Sequence, residues 1–152
     1  MPAWLWWSFY SLGAIWAQYF WAGLDFFTPG ILICLQDRRI KTALILSGVW
    51  LFLVEGTGSL AFGSQLIYLV GVFVFFGAGA LRLEPENPVF VVIFSLTLAL
   101  WHTAVSWSML SLQDLQFDGG KLLAVVPGQW MATVFVWGIA FLSSRFLVRI
   151  RT

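Results

Sequence analysis

Charge is scarce in this chain. Its 152 residues include 8 Lys or Arg and 7 Asp or Glu, 10% charged in all, against about 25% in ordinary soluble domains. With a net charge of +1 and no basic run longer than a few residues, the field that would recruit nucleic acid is missing, and nucleic acid is excluded as a partner. Cysteine is nearly absent too. Cys34 stands alone, which rules out an intramolecular disulfide and a cysteine-based metal site and leaves it a small apolar filler. His102 is the single histidine and cannot make a metal site without partners. No cofactor is expected, since one His and one Cys offer no ligand set for haem or an iron–sulfur cluster. Internal repeats and low-complexity segments are missing. The GAG triplet at 77–79 is no phosphate loop, because it lies in an apolar run with no following Lys and Ser/Thr pair.

What is present is apolar surface. The chain is 61% hydrophobic and 18% aromatic, with 10 Trp and 15 Phe, against roughly 45–50% apolar in soluble domains. A core of this size cannot absorb so much apolar surface. The expectation is therefore an all-α integral membrane protein, a single domain over 1–152, with aromatic residues at the ends of its helices. Six apolar stretches can be marked, at about 3–24, 26–35, 42–54, 60–81, 88–111 and 122–147. Four have the roughly 20 residues that a helix rising 1.5 Å per residue needs to cross the hydrocarbon. The second and third are short and are expected to be covered by their neighbours. The first, AWLWWSFYSLGAIWAQYFWAGL, has no Lys or Arg before it and no small-residue cleavage pattern after it, so it reads as a retained span.

If all six cross and the N-terminus is cytoplasmic, the alternate loops separate by charge. Arg38, Arg39, Lys41, Arg82, Arg145, Arg149 and Arg151 fall on one side and only Lys121 on the other. That asymmetry makes the basic side cytoplasmic and both termini cytoplasmic. Asp25, Glu55, Asp114 and Asp118 then lie at the outer face, with Glu55 ending a helix where water or protein reaches it rather than sitting at mid-bilayer. Gly56, Gly58 and Gly63 let the chain reverse tightly after it. In RLEPENP, Asn87 is placed to cap the fifth helix with Pro88 at its first position. In FDGGKLLAVVPG, the glycine pair precedes the sixth helix and Pro127 is placed to kink it.

The polar residues inside the apolar runs admit two readings each. Ser95, His102 and Ser106 share one helical face; an interhelical hydrogen bond is favoured there over a proton relay or ligand. Gln18, beside Gly13, Ala14 and Ala17, reads as a packing stripe with one polar bond across it. Gly71, Gly77 and Gly79 are expected to let the fourth helix approach another backbone. Asp25 and Glu55 at one level raise a paired-carboxylate enzyme, which needs two carboxyls sharing a proton; capping and turn roles at helix ends are favoured, and no catalytic residue is assigned. A small-molecule-binding or transporter subunit of the energy-coupling-factor type remains an alternative, with Asp25, Glu55, Trp50 and Gln129 as candidates to line an outer cavity.

The order of features has a counterpart in a known family. An aromatic first span with a glutamine precedes the short Pro-led segment FTPGILICL and the basic loop QDRRIK, and a third segment follows that ends in EGTGSLAFG. This resembles the MreD family of rod-shape-determining proteins, whose third segment ends in an acidic residue, commonly Asp, followed by glycines. The matching positions are Pro29, Gly48, Glu55, Gly58 and Gly63. The resemblance implies a non-enzymatic, multi-pass subunit of the bacterial inner membrane, a six-helix bundle similar in fold to the substrate-binding subunits of energy-coupling-factor transporters. It also implies a scaffold role in cell elongation and peptidoglycan synthesis, with membrane lipid, a bitopic MreC-like protein and the cell-wall glycosyltransferase and transpeptidase as partners.

Overall fold

Each apolar run between turn signals is helical in the computed structural model, which describes residues 2–21, 23–56, 63–113 and 119–147. Six helices follow one another: α1 (Ala3–Phe20), α2 (Thr28–Gln36), α3 (Ile40–Gly56), α4 (Ser64–Ala80), α5 (Pro88–Leu112) and α6 (Gly119–Leu147). Among the described residues there is no strand, and the chain is all-helical. Gly58, Asp114, Asp118, Arg149 and Arg151 lie outside the described residues.

The lengths differ from the sequence reading in a consistent way. Of the four segments marked as full length, α5 and α6 are long and apolar enough to cross a membrane. The helices α1 and α4 have 18 and 17 residues, below the roughly 20 that a straight crossing takes. Gly23, at φ +93°, turns the chain soon after α1 ends at Phe20. Helix α3 has 17 residues rather than 13, because Lys41 and Glu55 extend it at either end. At nine residues α2 is the shortest of the six, and α3, at 17, also stays below the length of a straight crossing.

Helices α3, α4, α5 and α6 pack in succession, α2 lies against α3 and α6, and α1 leans on α6. All nine residues of α2 are buried. Ile31, Leu32 and Cys34 meet Trp50 of α3, Tyr68 and Val72 of α4, and Phe94 and Leu98 of α5 in one core. A helix buried all round reads as apolar all round, and ILICL does. Outward, the five surrounding helices expose large apolar side chains: Trp16 on α1, Phe52 on α3, Val74 on α4, Ile93 on α5 and Phe135 on α6 are all more than half exposed. Soluble monomers rarely show apolar surface this continuous.

Three glycines make the close packing possible. A Cβ on Gly30 would lie 2.7 Å from Tyr10 Cε1 and 2.9 Å from Trp50 Cη2, so α2 passes between an α1 ring and an α3 ring only because that atom is missing. A Cβ on Gly71 would collide with the indole of Trp101. Gly71 therefore receives an aromatic side chain of α5, not a second backbone, and the Trp101 indole N–H donates to the Tyr68 carbonyl at 3.3 Å. Gly79 takes Phe90 in the same manner, whereas a Cβ on Gly77 would meet nothing within 4 Å.

The helix ends follow local rules. Val89 N donates to Asn87 Oδ1 at 2.9 Å ahead of Pro88, the cap the sequence predicts. Helix α2 ends in a double closure, with Arg39 N on Cys34 O at 2.8 Å and Arg38 N on Leu35 O at 3.1 Å. Arg38 takes the left-handed conformation there, φ 57°, the position usually given to glycine.

Candidate functional site

Asp25 is 5% exposed, in the connection between α1 and α2. A buried carboxylate is expensive unless it is hydrogen-bonded, and here α2 itself supplies the donors. Phe27 N donates to Asp25 Oδ1 at 2.8 Å and Thr28 N at 3.3 Å, while the Thr28 hydroxyl donates to Oδ2. The first amides of a helix have no partner within it and carry the positive end of its dipole. In a helix buried along its whole length, a carboxylate placed there satisfies both needs.

The backbone of Asp25 is held from the far end of the sequence. Asp25 N donates to Gln129 Oε1 at 2.7 Å, and Gln129 Nε2 returns the bond to Asp25 O at 3.1 Å. Thr133, one turn further along α6, donates to the Gln129 carbonyl at 2.8 Å and accepts from Gln129 Nε2 at 3.2 Å, which fixes the amide in place. The fourth helix contributes Tyr68, 2% exposed, whose hydroxyl stands 3.2 Å from Thr28 Oγ1. The His102 ring meets Tyr68 edge-on at 5.2 Å. The α1–α2 connection, α2, α4, α5 and α6 thus converge on one buried polar knot.

Other residues singled out in the sequence fall elsewhere. Glu55 is half-buried and accepts from Gly63 N at 2.9 Å, bridging the two ends of the segment between α3 and α4. Gly63 starts α4 at φ +94°. Glu55 and Asp25 share no hydrogen-bond partner among the described residues. Trp50 belongs to the core at 1% exposure, not to an outer face, and its indole donates to Ser11 Oγ at 2.9 Å between Tyr10 and Phe27. Pro29 is fully buried in the first turn of α2. Gly48 and Gly56 have nothing within 4 Å of a would-be Cβ. Gln18 and Ser106 are half-buried. The hydroxyls of Ser95 and Ser47 are buried without a hydrogen-bond partner among the described residues.

At the opposite end of the bundle α2 is held again by α6. Gln36 Nε2 donates to Pro85 O at 2.6 Å and Gln36 Oε1 accepts from the Trp137 indole at 2.9 Å. Arg145 reaches Asp37 at 3.7 Å and covers the Phe141 ring at 5.0 Å. Between α1 and α6 lies a groove of about 740 Å³, with Gly13, Ala14 and Ala17 on one wall and Ala132, Val136 and Ile139 on the other. Trp6 and Trp21 mark its two ends.

Thr28, Tyr68 and Thr133 are members of the polar knot that the sequence reading did not single out. A signal for Thr28 exists: DFFTP is an acidic residue followed by Thr-Pro at the start of an apolar run, a helix N-terminus pattern. Thr133 stands four residues after Gln129, the spacing of side chains stacked on one helix face. Nothing in YLVG marks Tyr68 apart from the other aromatic residues. No group of three or more His, Cys, Asp and Glu among the described residues is placed to hold a metal ion. No protein-family model, curated protein or solved structure matches the chain.

Proposed function

We propose that the chain is a non-enzymatic scaffold subunit of a membrane complex, with all six helices embedded and both termini in the cytoplasm. The observation that carries this is the division of labour in the side chains. The buried polar groups Asp25, Thr28, Tyr68, Gln129 and Thr133 hold the bundle together, while the outward faces of five helices are apolar and aromatic. A surface of that kind faces acyl chains and partner helices.

Helices of 17 or 18 residues rise about 26 Å, a mismatch with the bilayer that local thinning absorbs at modest cost. The end with Arg38, Arg39, Lys41, Arg82 and Arg145 faces the cytoplasm under the positive-inside rule, and the Asp25 and Glu55 end faces out. The resemblance of the Pro29 to Gly63 stretch to the MreD family supports a place in the bacterial cell-elongation complex. There the bundle would hold a bitopic MreC-like protein in the inner membrane and, through it, the cell-wall glycosyltransferase and transpeptidase.

Affinity purification of the tagged chain from native bacterial membranes tests this reading. A bitopic protein with a large extracytoplasmic domain should be recovered in near-equal amount; recovery of the chain alone would refute the scaffold assignment. Thiol labelling of Gly63→Cys in intact cells tests the orientation, with labelling from outside expected.

A further inference from the structure

Helix α2 begins deep in the bundle, because it is only nine residues long. Gln129, which binds the Asp25 backbone, stands ten residues inside the start of α6, and His102 stands ten residues before the end of α5. Ten helical residues rise about 15 Å, half of the roughly 30 Å hydrocarbon layer. With the helices embedded as argued above, the Asp25 carboxylate lies near mid-membrane, level with the chain's single histidine.

An ionised carboxylate at that depth calls for a countercharge. Among the described residues Asp25 has no ion pair, the Arg145 contact being with Asp37. The basic residues of α6, Lys121 and Arg145, are eight and sixteen residues from Gln129, about 12 and 24 Å along the helix. The titratable groups that couple to the charge of Asp25 are Tyr10 on α1, Tyr68 on α4 and His102 on α5. Helix α6 presents Gln129 and Thr133, which do not titrate, and Glu55 at the end of α3 bonds Gly63 instead. The Tyr10 hydroxyl is committed to the Phe26 carbonyl at 2.8 Å. Tyr68 is committed as well: Thr28 has one hydroxyl proton and gives it to Asp25, so at the 3.2 Å contact between the two hydroxyls Tyr68 is the donor. His102 is left. It is half-buried, its ring meets Tyr68 edge-on at 5.2 Å, and neither nitrogen has a hydrogen-bond partner among the described residues. Of the three neighbours it alone becomes a cation on taking a proton.

We propose that Asp25 and His102 form a proton-binding site across Tyr68, holding one proton between them. With no proton bound the pair carries one negative charge in a medium of low dielectric constant. With one bound its net charge is zero, and the cost of burying an isolated ion is removed. The proton belongs to the pair, since two titratable groups that interact strongly titrate together. Because the Asp25 carboxylate caps α2, the proton on this pair is sensed at the start of the central helix. The proposal rests on the membrane placement argued above and is independent of the elongation complex.

The test is a nuclear magnetic resonance titration of the full chain in detergent. The protein carries isotope-labelled histidine and a tag free of histidine, so that the single imidazole signal belongs to His102. Removing the countercharge in Asp25→Asn should weaken proton binding by His102 about tenfold, a coupling typical of two linked sites. Glu84→Gln, which removes a carboxylate just before the far end of α5, should leave the titration unchanged. Linkage is reciprocal. In a sample labelled at aspartate, His102→Gln should therefore strengthen proton binding by one carboxylate by the same factor, and this arm needs no substitution at the α2 cap. Identical His102 titrations in the unmodified chain and Asp25→Asn overturn the proposal. Equal shifts in Asp25→Asn and Glu84→Gln overturn it too, as do aspartate titrations untouched by His102→Gln. A chain that stays soluble without detergent refutes the membrane placement, whereas the titrations judge the pair, which separates the two failures.

Discussion

Removing the carboxylate of Asp25 should destabilise the whole bundle, because every residue of α2 is buried. In Asp25→Ala the amides of Phe27 and Thr28 and the Thr28 hydroxyl lose their acceptor. These residues are 2% and 1% exposed, and a buried polar group left unsatisfied costs about 1–3 kcal/mol. Allowing for relaxation of the connection, the total is about 3–5 kcal/mol, near the upper end for a point substitution. Asp25→Asn keeps an acceptor for Phe27 N and removes a buried charge, but gives up the attraction to the α2 dipole, which is worth up to about 2 kcal/mol. Its expected cost is about 1–2 kcal/mol. The protein carries its own reporter: Cys34 lies on α2, is buried, and is the chain's single cysteine. Heating the detergent-solubilised protein with a thiol-reactive dye follows the exposure of α2 directly. At 2–4 °C per kcal/mol, the Ala variant should lose roughly 10 °C in midpoint and the Asn variant roughly a third of that. An unchanged midpoint for Asp25→Ala, or a larger loss for Asn than for Ala, would refute the capping argument.

The same assay reads three further substitutions. Gly71→Ala and Gly30→Ala place a methyl group against Trp101 and against Tyr10 with Trp50, so each should cost about 1–3 kcal/mol, while Gly77→Ala should leave the midpoint unchanged or raise it. Ser95→Ala removes a buried hydroxyl that has no partner among the described residues; the midpoint should hold or rise by an amount equivalent to about 1 kcal/mol, and a fall of that size would mean that the hydroxyl is bonded. Glu55→Gln keeps an acceptor for Gly63 N and should be milder than Gly63→Leu, which forces a side chain into φ +94° at a cost of about 1–2 kcal/mol; the reverse order would assign Glu55 a role through its charge.

The helices were legible because apolar runs and turn residues alternate in the sequence, and the N-terminus of α5 was legible down to its cap because Asn87 and Pro88 act on their immediate neighbours. Lengths were read less well. Lys41 and Glu55 look like boundaries in a hydropathy pattern, yet a charged side chain at a helix end continues the backbone without penalty, so α3 runs through both. The polar knot was legible only in pieces. Asp25 and Gln129 stood out as polar residues beside apolar runs, but 104 positions separate them and no local rule joins them. Tyr68 was hidden because one tyrosine among many aromatic residues carries no signal until the packing shows which hydroxyl is buried. Trp50 was offered as an outer-face residue that could line a cavity, whereas the missing Cβ of Gly30 is what admits its ring to the core.

A nine-residue helix is too short to stand alone, and α2 is held where it is by what happens at its two ends. Both closures come from α6: Gln129 and Thr133 secure the connection that carries the Asp25 cap, and Trp137 with Arg145 secures Gln36 and Asp37. The distance from Gln129 to Arg145 is sixteen residues, about 24 Å of helix, so α6 spans α2 and its flanking residues from end to end. With α6 committed to α2, α1 has little left to bind on that side and meets α6 only over a short stretch. The groove between them is therefore a consequence of how the central helix is held. Substitutions at the polar knot should then change stability, whereas a methyl group added in the groove at Gly13, where a Cβ meets nothing within 4 Å, should leave it nearly unchanged.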